Sequence, residues 1–331
     1  MLYQVFVFLL SVIFFWPFEL RSQDFYQGKT IRIVNYSKPG DSYDAWARLL
    51  SRHMSRYIPG NPAIIVENLP GAGGLIALND VYTRAKPDGL TLLFPPRHFA
   101  IPQLVGEKNV RYDANKLTYI GSADSEAYIL AIRPSHIVKR MEDLRKIATP
   151  ISCSATGKGA TSNDFLALLN WAGFKIKIVS GYASKGEQLL AYQRGEVDCV
   201  PGSFSGSFIP PVEKGELKPL VQMAGRIFPD VPDILDVEMN NDAKTLFKIF
   251  TAPLIVGRPV VGPPGIPVDR VEILRKAFEQ ALRDPALLAE AKKQQLEPAP
   301  LPAEEVAKAQ REILSQPEKI ARAYKEALEI Q

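Results

Sequence analysis

The stretch VNYSKPGDSYDAWARLL, which runs from Val34 to Leu50, joins an apolar, strand-like segment to a helical pattern through a loop that contains Gly40. In the helical part, apolar residues recur at intervals of three and four, and Asp41 or Ser42 can cap the first turn. A strand, a glycine loop and a helix in this order form the first half of a βαβ unit. The stretch therefore predicts an α/β fold.

The same alternation continues along the chain in two series. The first series contains the strand-like segments TIRIVNYS, AIIVEN and LTLLFPP, separated by helical patterns. After LTYIGSA and YILAIRP, a second series contains ISCSA, KIKIVSG, VDCVPGS and LKPLVQMA. The tail from Pro267 onward is helical and charged, so we expect it to return to the first series. Two α/β series of similar size predict two lobes.

We therefore divide the chain into a leader and two lobes. Residues 1–22 form a signal peptide or an N-terminal anchor, residues 23–122 with 224–331 form the first lobe, and residues 123–223 form the second lobe. Crossings near Ala123 and Met223 would form a hinge. Open α/β sheets bind ligands at the carboxyl ends of their strands, so we expect a ligand cleft between the lobes.

The first residues, MLYQVFVFLLSVIFFWPFE, form an apolar run long enough for a secretory signal peptide or a short membrane anchor. No Lys or Arg precedes this run and no A-x-A site follows it, so cleavage and retention as an anchor both stay open. Either outcome predicts export from the cytoplasm to an oxidising compartment. In that oxidising compartment Cys153 and Cys199 are either a disulfide or two buried thiols.

The composition excludes one class of partner. The 331 residues, of which 46% are hydrophobic, can bury a large core. The 40 basic and 36 acidic residues give a net charge of +4 and are spread along the chain, without the basic runs of a nucleic-acid-binding surface. We expect no nucleic-acid partner.

Three loops that contain glycine precede predicted helices: Pro39 to Asp44, Pro70 to Gly74, and Ala155 to Asp164. The free N–H groups and the positive partial charge at a helix N-terminus suit a carboxylate or a phosphate. Each loop taken alone is also explained as a capped turn. Three such loops on the ligand-binding edges of the predicted sheets favour anion binding.

Motifs for other activities are weak or missing. Gly71 and Gly73 lack the third small residue of a dinucleotide-binding loop, and no GK[ST] completes a phosphate-binding P-loop. The chain has three histidines and no H-E-x-x-H, Cys-x-x-Cys or G-x-S-x-G motif. GSFSG, residues 202–206, is better explained as another strand-to-helix loop. We expect no cofactor, no metal and no catalytic residues.

Several side chains near these loops could complete a binding site. Arg97 and His98 follow a predicted strand, and His98 is the histidine that we place nearest the cleft. Aromatic side chains in the loops either line the cleft or pack locally. The candidate aromatic walls are Tyr43, Phe99, Tyr182 and Phe204.

Six segments together resemble the periplasmic substrate-binding receptors of tripartite tricarboxylate transporters, also called the Bug family. They are KPGDSYDAWARLLSRHM, IVENLPGAGGLIALNDVY, PDGLTLL, SATGKGATSND, VSGYASKGEQLLAYQRGEVD and PPGIPVDRVEILRKAFEQALRDPALLAEAKK. The resemblance spans nearly the whole chain after the leader. It implies a two-lobe, type II Venus-flytrap receptor that captures an organic acid and delivers it to membrane permease subunits.

The resemblance also implies that backbone N–H groups and ordered waters hold the ligand's carboxylates. In the first lobe it points to Gly40, Asp41, Ser42 and Asp44. In the second lobe it points to Gly157, Gly159, Ala160, Thr161 and Asp164. With the neighbouring side chains, the candidate ligand-binding residues are Ser37, Gly40, Asp41, Ser42, Tyr43, Asp44, Gly73, Arg97, His98, Gly157, Lys158, Gly159, Ala160, Thr161, Asp164, Tyr182, Ser203 and Phe204.

One position departs from the family pattern, which usually has consecutive glycines after Pro39. Asp41 brings a carboxylate to the anion-binding loop and would repel a second carboxylate. Lys38, Lys158 or Arg97 could offset this charge, or Asp41 could turn outward as a helix cap. The departure weakens the prediction of a tricarboxylate ligand.

We therefore expect an exported, monomeric solute-binding receptor for a small carboxylate, and not an enzyme. Two alternatives stay open: an exported α/β enzyme that acts on a carboxylate, and a receptor that signals to a membrane partner. A receptor gains thermal stability with its ligand and returns the ligand unchanged, which separates it from an enzyme.

Overall fold

The computed structural model of the protein describes residues 25–157 and 159–329. The predicted leader, residues 1–22, and Lys158 therefore lie outside the described residues. In the described part of the chain, no helix combines the length and the apolar character needed to cross a bilayer.

The strands form two sheets. In chain order they are β1 (Thr30–Asn35), β2 (Ala63–Asn68), β3 (Thr91–Phe94), β4 (Thr118–Ser122), β5 (Tyr128–Ile132), β6 (Ile151–Ala155), β7 (Ile176–Ser180), β8 (Cys199–Ser203), β9 (Lys218–Met223), β10 (Pro259–Gly262) and β11 (Leu301–Pro302). The first sheet has the order β11-β4-β10-β3-β1-β2, and the second has the order β7-β6-β8-β5-β9. The predicted α/β fold class is confirmed.

Helices cover both sheets. They are α1 (Ser42–Met54), α2 (Leu75–Arg84), α3 (Ala100–Leu104), α4 (Asp143–Lys146), α5 (Thr161–Trp171), α6 (Lys185–Gln193), α7 (Ile209–Glu213), α8 (Asn241–Val256), α9 (Val268–Arg283), α10 (Pro285–Lys293), α11 (Ala303–Leu314) and α12 (Glu318–Leu328). As predicted, α2 follows directly after the glycines of the second loop, Gly73 and Gly74.

Strand β1 shows why the first sheet is covered on both faces. It pairs in parallel with β2 and β3. Ile33 belongs to the same apolar cluster as Leu50 of α1, whereas its neighbour Val34 belongs to the cluster of Leu78 of α2. Successive side chains of a strand point to opposite faces, so an apolar run buries both faces of the sheet.

The second sheet is also covered by apolar contacts on both faces, as its antiparallel strand β5 shows. Leu130 clusters with Phe165 of α5, and Ile129 clusters with Leu189 of α6. Cys153 of β6 lies opposite Cys199 of β8, and a disulfide joins the two residues across a Cα separation of 4.6 Å. The structure thus selects the disulfide from the two possibilities left open by the sequence.

The chain passes between the sheets at the predicted crossings. Residues 123–127 connect β4 of the first sheet to β5 of the second, and the chain leaves the second sheet after Met223. Helix α11 packs against β4 and α8, whereas α12 packs against α5 and α8. The C-terminal helix therefore contacts α5, a helix that packs on the second sheet, whereas β11 belongs to the first sheet and α11 packs on it. The lobe boundaries themselves stay a prediction.

Candidate functional site

Arg97 occupies the junction between the two sheets. It follows β3, and its backbone N–H donates to the Tyr43 hydroxyl at 3.1 Å, which in turn donates to the carbonyl of Gly257 at 3.3 Å. Its guanidinium forms an ion pair through Nη1 with Glu126 and donates through Nη2 to Thr161 Oγ1 at 3.3 Å. Arg97 thus links the first sheet to the crossing segment and to the first residue of α5.

A second guanidinium completes this arrangement. Arg258, immediately before β10, forms ion pairs with Glu126 at 2.9 Å and with Asp124 at 2.6 Å. Its Nη2 also donates to Ser42 Oγ at 3.3 Å, and its guanidinium lies 5.3 Å from the ring centre of Tyr43. We call Arg97, Asp124, Glu126 and Arg258 the ion-pair cluster.

The environment sets the charges of the two acids in the ion-pair cluster. Burial raises the pKa of Glu126, but the charges of Arg97 and Arg258 outweigh this effect and lower the pKa to about 2. Burial raises the pKa of Asp124 to about 6, because Arg258 offsets the effect only in part and Glu126 adds repulsion. At neutral pH the cluster therefore holds two positive and two negative charges.

Hydroxyl groups from β8 and from the start of α5 form further hydrogen bonds with the cluster. Ser203, at the end of β8, donates to Glu126 Oε2 at 3.0 Å. Thr161 accepts from Arg97, as described above. Two guanidinium groups and the Ser203 hydroxyl thus surround one carboxylate, which is the kind of donor set that binds carboxylates in proteins.

Two cavities lie beside the ion-pair cluster. One, which we call the apolar cavity, has a volume of about 330 Å³ and lies between Arg97, Thr161, α3, α8 and α12. The other, which we call the hinge cavity, has a volume of about 510 Å³ and is lined by Ser42, Glu126, Ser203, Phe204 and Arg258. The Arg97 to Glu126 ion pair joins the wall of one cavity to the wall of the other.

The first glycine loop satisfies most of its own polar groups. Asp41 caps α1 by accepting from the N–H of Asp44 at 3.0 Å, and it also accepts from Ser37 Oγ at 2.6 Å. The N–H of Gly40 donates to Asp44 Oδ2 at 2.9 Å. Asp44 also pairs with Arg48 at 2.9 Å. Ser37, Gly40, Asp41 and Asp44 thus stabilise the loop, and of the two roles considered for Asp41 the structure shows the helix cap.

The third glycine loop, Ala155 to Asp164, closes on itself in a similar way. The N–H of Gly159 donates to Asp164 Oδ1 at 3.1 Å, and the N–H of Ala160 donates to the carbonyl of Gly157 at 3.0 Å. Gly159, Thr161 and Asp164 nevertheless line the apolar cavity. Lys158, the remaining candidate of this loop, lies outside the described residues.

The other candidates fall into three groups. His98 lines the apolar cavity, and Phe204 lines the hinge cavity while packing edge-to-face on Phe228. Gly73 and Tyr182 line neither of these cavities: Gly73 sits in the turn before α2, and Tyr182 packs against the cluster around Ile129. Phe99 is fully buried and lines neither cavity, so of the two roles considered for the loop aromatic residues it has the local packing role.

The sequence analysis missed Asp124, Glu126 and Arg258. All three lie on segments that connect the two sheets, so no helical or strand period marks them. A sequence feature that could have indicated Asp124 and Glu126 is their position between the segments LTYIGSA and YILAIRP, at the crossing predicted near Ala123. Charged residues at a crossing can meet ligands or cations from either lobe.

Comparison with known proteins agrees with the fold. A model of the tripartite tricarboxylate transporter family receptors matches residues 47–325. A UPF0065 protein of Bordetella bronchiseptica is 26% identical over 266 residues, which cover 78% of this chain and 75% of the relative.

Two solved structures extend this comparison. A TctC solute-binding protein from Polaromonas superposes with a TM-score of 0.72 at 17% identity, covering 92% of this chain and all of that chain. MatC from Rhodopseudomonas palustris, solved with bound malate, superposes with a TM-score of 0.56 at 21% identity, covering 89% of this chain and 99% of that chain. These likenesses confirm the two-lobe α/β architecture. Because the family model matches most of its length, the chain belongs to the tripartite tricarboxylate transporter family of solute-binding receptors.

Proposed function

We propose that this receptor captures an organic acid between its two lobes and delivers the acid, chemically unchanged, to the permease subunits of a tripartite tricarboxylate-type transporter. The observation that supports the proposal most is the convergence of Arg97 from the first lobe and Thr161 from the second on one polar site. A ligand that binds both residues contacts both lobes, which is the condition for ligand-driven closure.

The carboxylate of Glu126 supports the choice of ligand class. It is held by Arg97, by Arg258 and by the hydroxyl of Ser203. A guanidinium carries five N–H donors, so Arg97 has further donors for a ligand carboxylate next to the one that it already binds. The malate bound in MatC supports carboxylates as the class of ligand, because both chains share this architecture.

We infer that side chains hold the acid together with loop backbone. The N–H groups of Gly40 and Gly159 donate to Asp44 and Asp164 in this conformation, so they are not the first donors that a ligand meets. The first turn of α1 adds the positive end of a helix dipole near Ser42. In this proposal Ser42, Tyr43, Arg97, Thr161 and Ser203 form the polar part of the site.

The proposal also covers the location of the receptor and its oligomeric state. We propose that residues 1–22 direct export to the periplasm, by a signal peptide or as a retained anchor, and that the mature receptor is monomeric. Family membership supports the periplasm, where binding receptors of this family act. Mass spectrometry of the N-terminus and light scattering of the purified protein test these two points.

A ligand panel tests the central proposal. Purified protein is titrated with mono-, di- and tricarboxylates, amines and sugars, and thermal stability and heat of binding are recorded. We expect stabilisation by at least one carboxylate and its recovery unchanged from the denatured complex. Conversion of the acid would make the protein an enzyme. Stabilisation only by amines or sugars would contradict the proposal that the ligand is a carboxylate.

A further inference from the structure

The apolar cavity is walled mainly by hydrocarbon. Ile101 and Val105 come from α3 and the residue that ends it, Phe250 and Leu254 come from α8, and Leu328 comes from α12. Arg97 and Thr161, which contact each other, lie on the same wall. A cavity that combines one cationic group with a hydrocarbon lining suits a molecule with one charged group and an apolar body.

Its volume agrees with such a molecule. The cavity measures about 330 Å³, at the lower end of the range of about 300 to 1,000 Å³ in which proteins bury drug-sized ligands. A compact acid with several carboxylates would leave much of this hydrocarbon wall without a contact. A ring or an extended chain would cover the wall and remove it from water.

The charges oppose a ligand with several carboxylates. Among the described residues that line the apolar cavity, Arg97 is the only one with a permanent positive charge, whereas Glu107 and Asp164 are acidic. The rest of the ion-pair cluster behind Arg97 adds one net negative charge, since the two carboxylates of Asp124 and Glu126 face the single cation of Arg258. A second carboxylate on the ligand would therefore meet acidic groups and no further cation of the described wall.

We propose that the ligand of this receptor is a monocarboxylate with an aromatic or extended aliphatic body. Its carboxylate binds at Arg97 and Thr161, and its body fills the apolar cavity between α3, α8 and α12. This inference rests on the proposed function and narrows the class of acid. It also gives the C-terminal helix a part in the binding site, through Leu328 and Tyr324.

A series of straight-chain acids tests the inference by calorimetry. From butanoate to octanoate we expect the dissociation constant to fall about fourfold with each methylene, until the cavity is full. Phenylpropanoate should bind within this range, and malate and citrate should bind more weakly than octanoate. If malate or citrate binds tighter than every monocarboxylate, the inference fails while the proposed function stands. If no carboxylate binds, both fail.

Filling the cavity provides a second test that separates this site from the hinge cavity. Val105→Trp places an indole in the apolar cavity, and Val268→Trp makes the same change at an exposed position of α9 as the control. We expect the first variant to weaken octanoate binding at least tenfold and the control to bind as the wild type does. Octanoate binding that is unchanged in Val105→Trp would place the ligand elsewhere. Ile101→Trp fills the same cavity and replaces Val105→Trp should that variant not fold.

Discussion

Arg97 follows β3 of the first sheet, Thr161 begins α5, which packs on the second sheet, and a hydrogen bond of 3.3 Å joins the guanidinium of the first to the hydroxyl of the second. The bond lies on the wall of the apolar cavity and next to the ion pair of Arg97 with Glu126. Contact between the lobes and the proposed contact with the ligand therefore depend on the same two side chains. A mutation of either side chain should therefore affect ligand binding and the contact between the lobes together.

Replacing Thr161 by valine tests the bridge between the lobes. Thr161→Val keeps the branched shape and removes the acceptor of the Arg97 bond. We expect affinity for the best acid to fall about threefold to tenfold, because the variant lacks the hydroxyl that accepts from Arg97 and that is proposed to contact the ligand. Thr83→Val, on the exposed face of α2, is the control. Equal affinity of the two variants in calorimetry would contradict the bridge.

Replacing Glu126 by glutamine tests the balance of the ion-pair cluster. Glu126→Gln keeps the size of the side chain and removes the charge that neutralises Arg97 and Arg258. We expect the free energy of unfolding to fall by about 1 to 3 kcal/mol and the affinity for a carboxylate to rise severalfold. Glu67→Gln, which breaks the more exposed ion pair of Glu67 with Arg32, is the control. It should change the free energy of unfolding and the affinity only slightly. A loss of affinity in Glu126→Gln would give Glu126 a different role.

The acids of the cluster predict opposite responses of stability to pH. The pKa of Asp124 rises from 3.8 to about 6, so its protonated form stabilises the fold at low pH, and this contribution is lost as pH rises through 6. The pKa of Glu126 falls from 4.5 to about 2, so its contribution is present above 4.5 and is lost as pH falls toward 2.

The variant Asp124→Asn isolates the first of these responses. Between about pH 4 and pH 7 the wild type should lose on the order of 1 to 3 kcal/mol relative to the variant. Urea unfolding across this range measures the difference. A constant difference between the two proteins from pH 4 to pH 7 would mean that Asp124 does not titrate in this interval.

Gly257 illustrates a backbone position that the ion-pair cluster requires. Its φ is +60°, and a Cβ there would lie 2.6 Å from Asp124 Oδ1 and closer still to the backbone oxygen of Asp124. Gly173, which has a φ of +86° and open space around it, is the control. Gly173→Ala should lower the free energy of unfolding by only about 1 to 2 kcal/mol. We expect Gly257→Ala to lower the free energy of unfolding, measured with urea, by at least about 2 kcal/mol more than Gly173→Ala does. It should also weaken acid binding. An equal loss of stability in both variants would show that the segment around Gly257 can shift to accommodate a side chain.

The disulfide predicts a redox-dependent stability of the second lobe. Cys153 and Cys199 are 46 residues apart in sequence, and a crosslink of this kind typically adds about 2 to 4 kcal/mol. The double variant with serine at both positions should lose stability by this amount and bind acids as the wild type does. Reduction of the wild type should give the same change, whereas the variant should not respond to a reductant.

The regular part of the fold could be predicted from the sequence. Apolar runs and helical patterns located the strands, the start of α1 with Asp41 or Ser42 as its cap, and the start of α2 at the glycines, because these features depend on local chemistry. The role of Phe99, which packs in the core, stayed open, since the same pattern does not say which side of the segment after β3 faces the core.

The candidate site was predictable only in part. Arg97, Thr161 and Ser203 lie next to strand or helix ends, where the α/β rule places ligand contacts, and the structure brings them together. Their partners Asp124, Glu126 and Arg258 come from crossing segments, whose approach depends on how the lobes pack. The N–H groups of Gly40 and Gly159 were expected to meet the ligand, but acids four and five residues later accept from them.

The packing of α12 on α5 has a practical consequence. Helix α12 packs on α5, which lies on the second sheet, although α11 before it packs on β4 of the first sheet. A fluorophore placed after α12 should therefore move with the second lobe, and a partner fluorophore on α1 should move with the first. Energy transfer between the two would report closure directly, so the receptor could be converted into an optical sensor for its own acid without altering a residue of the cleft.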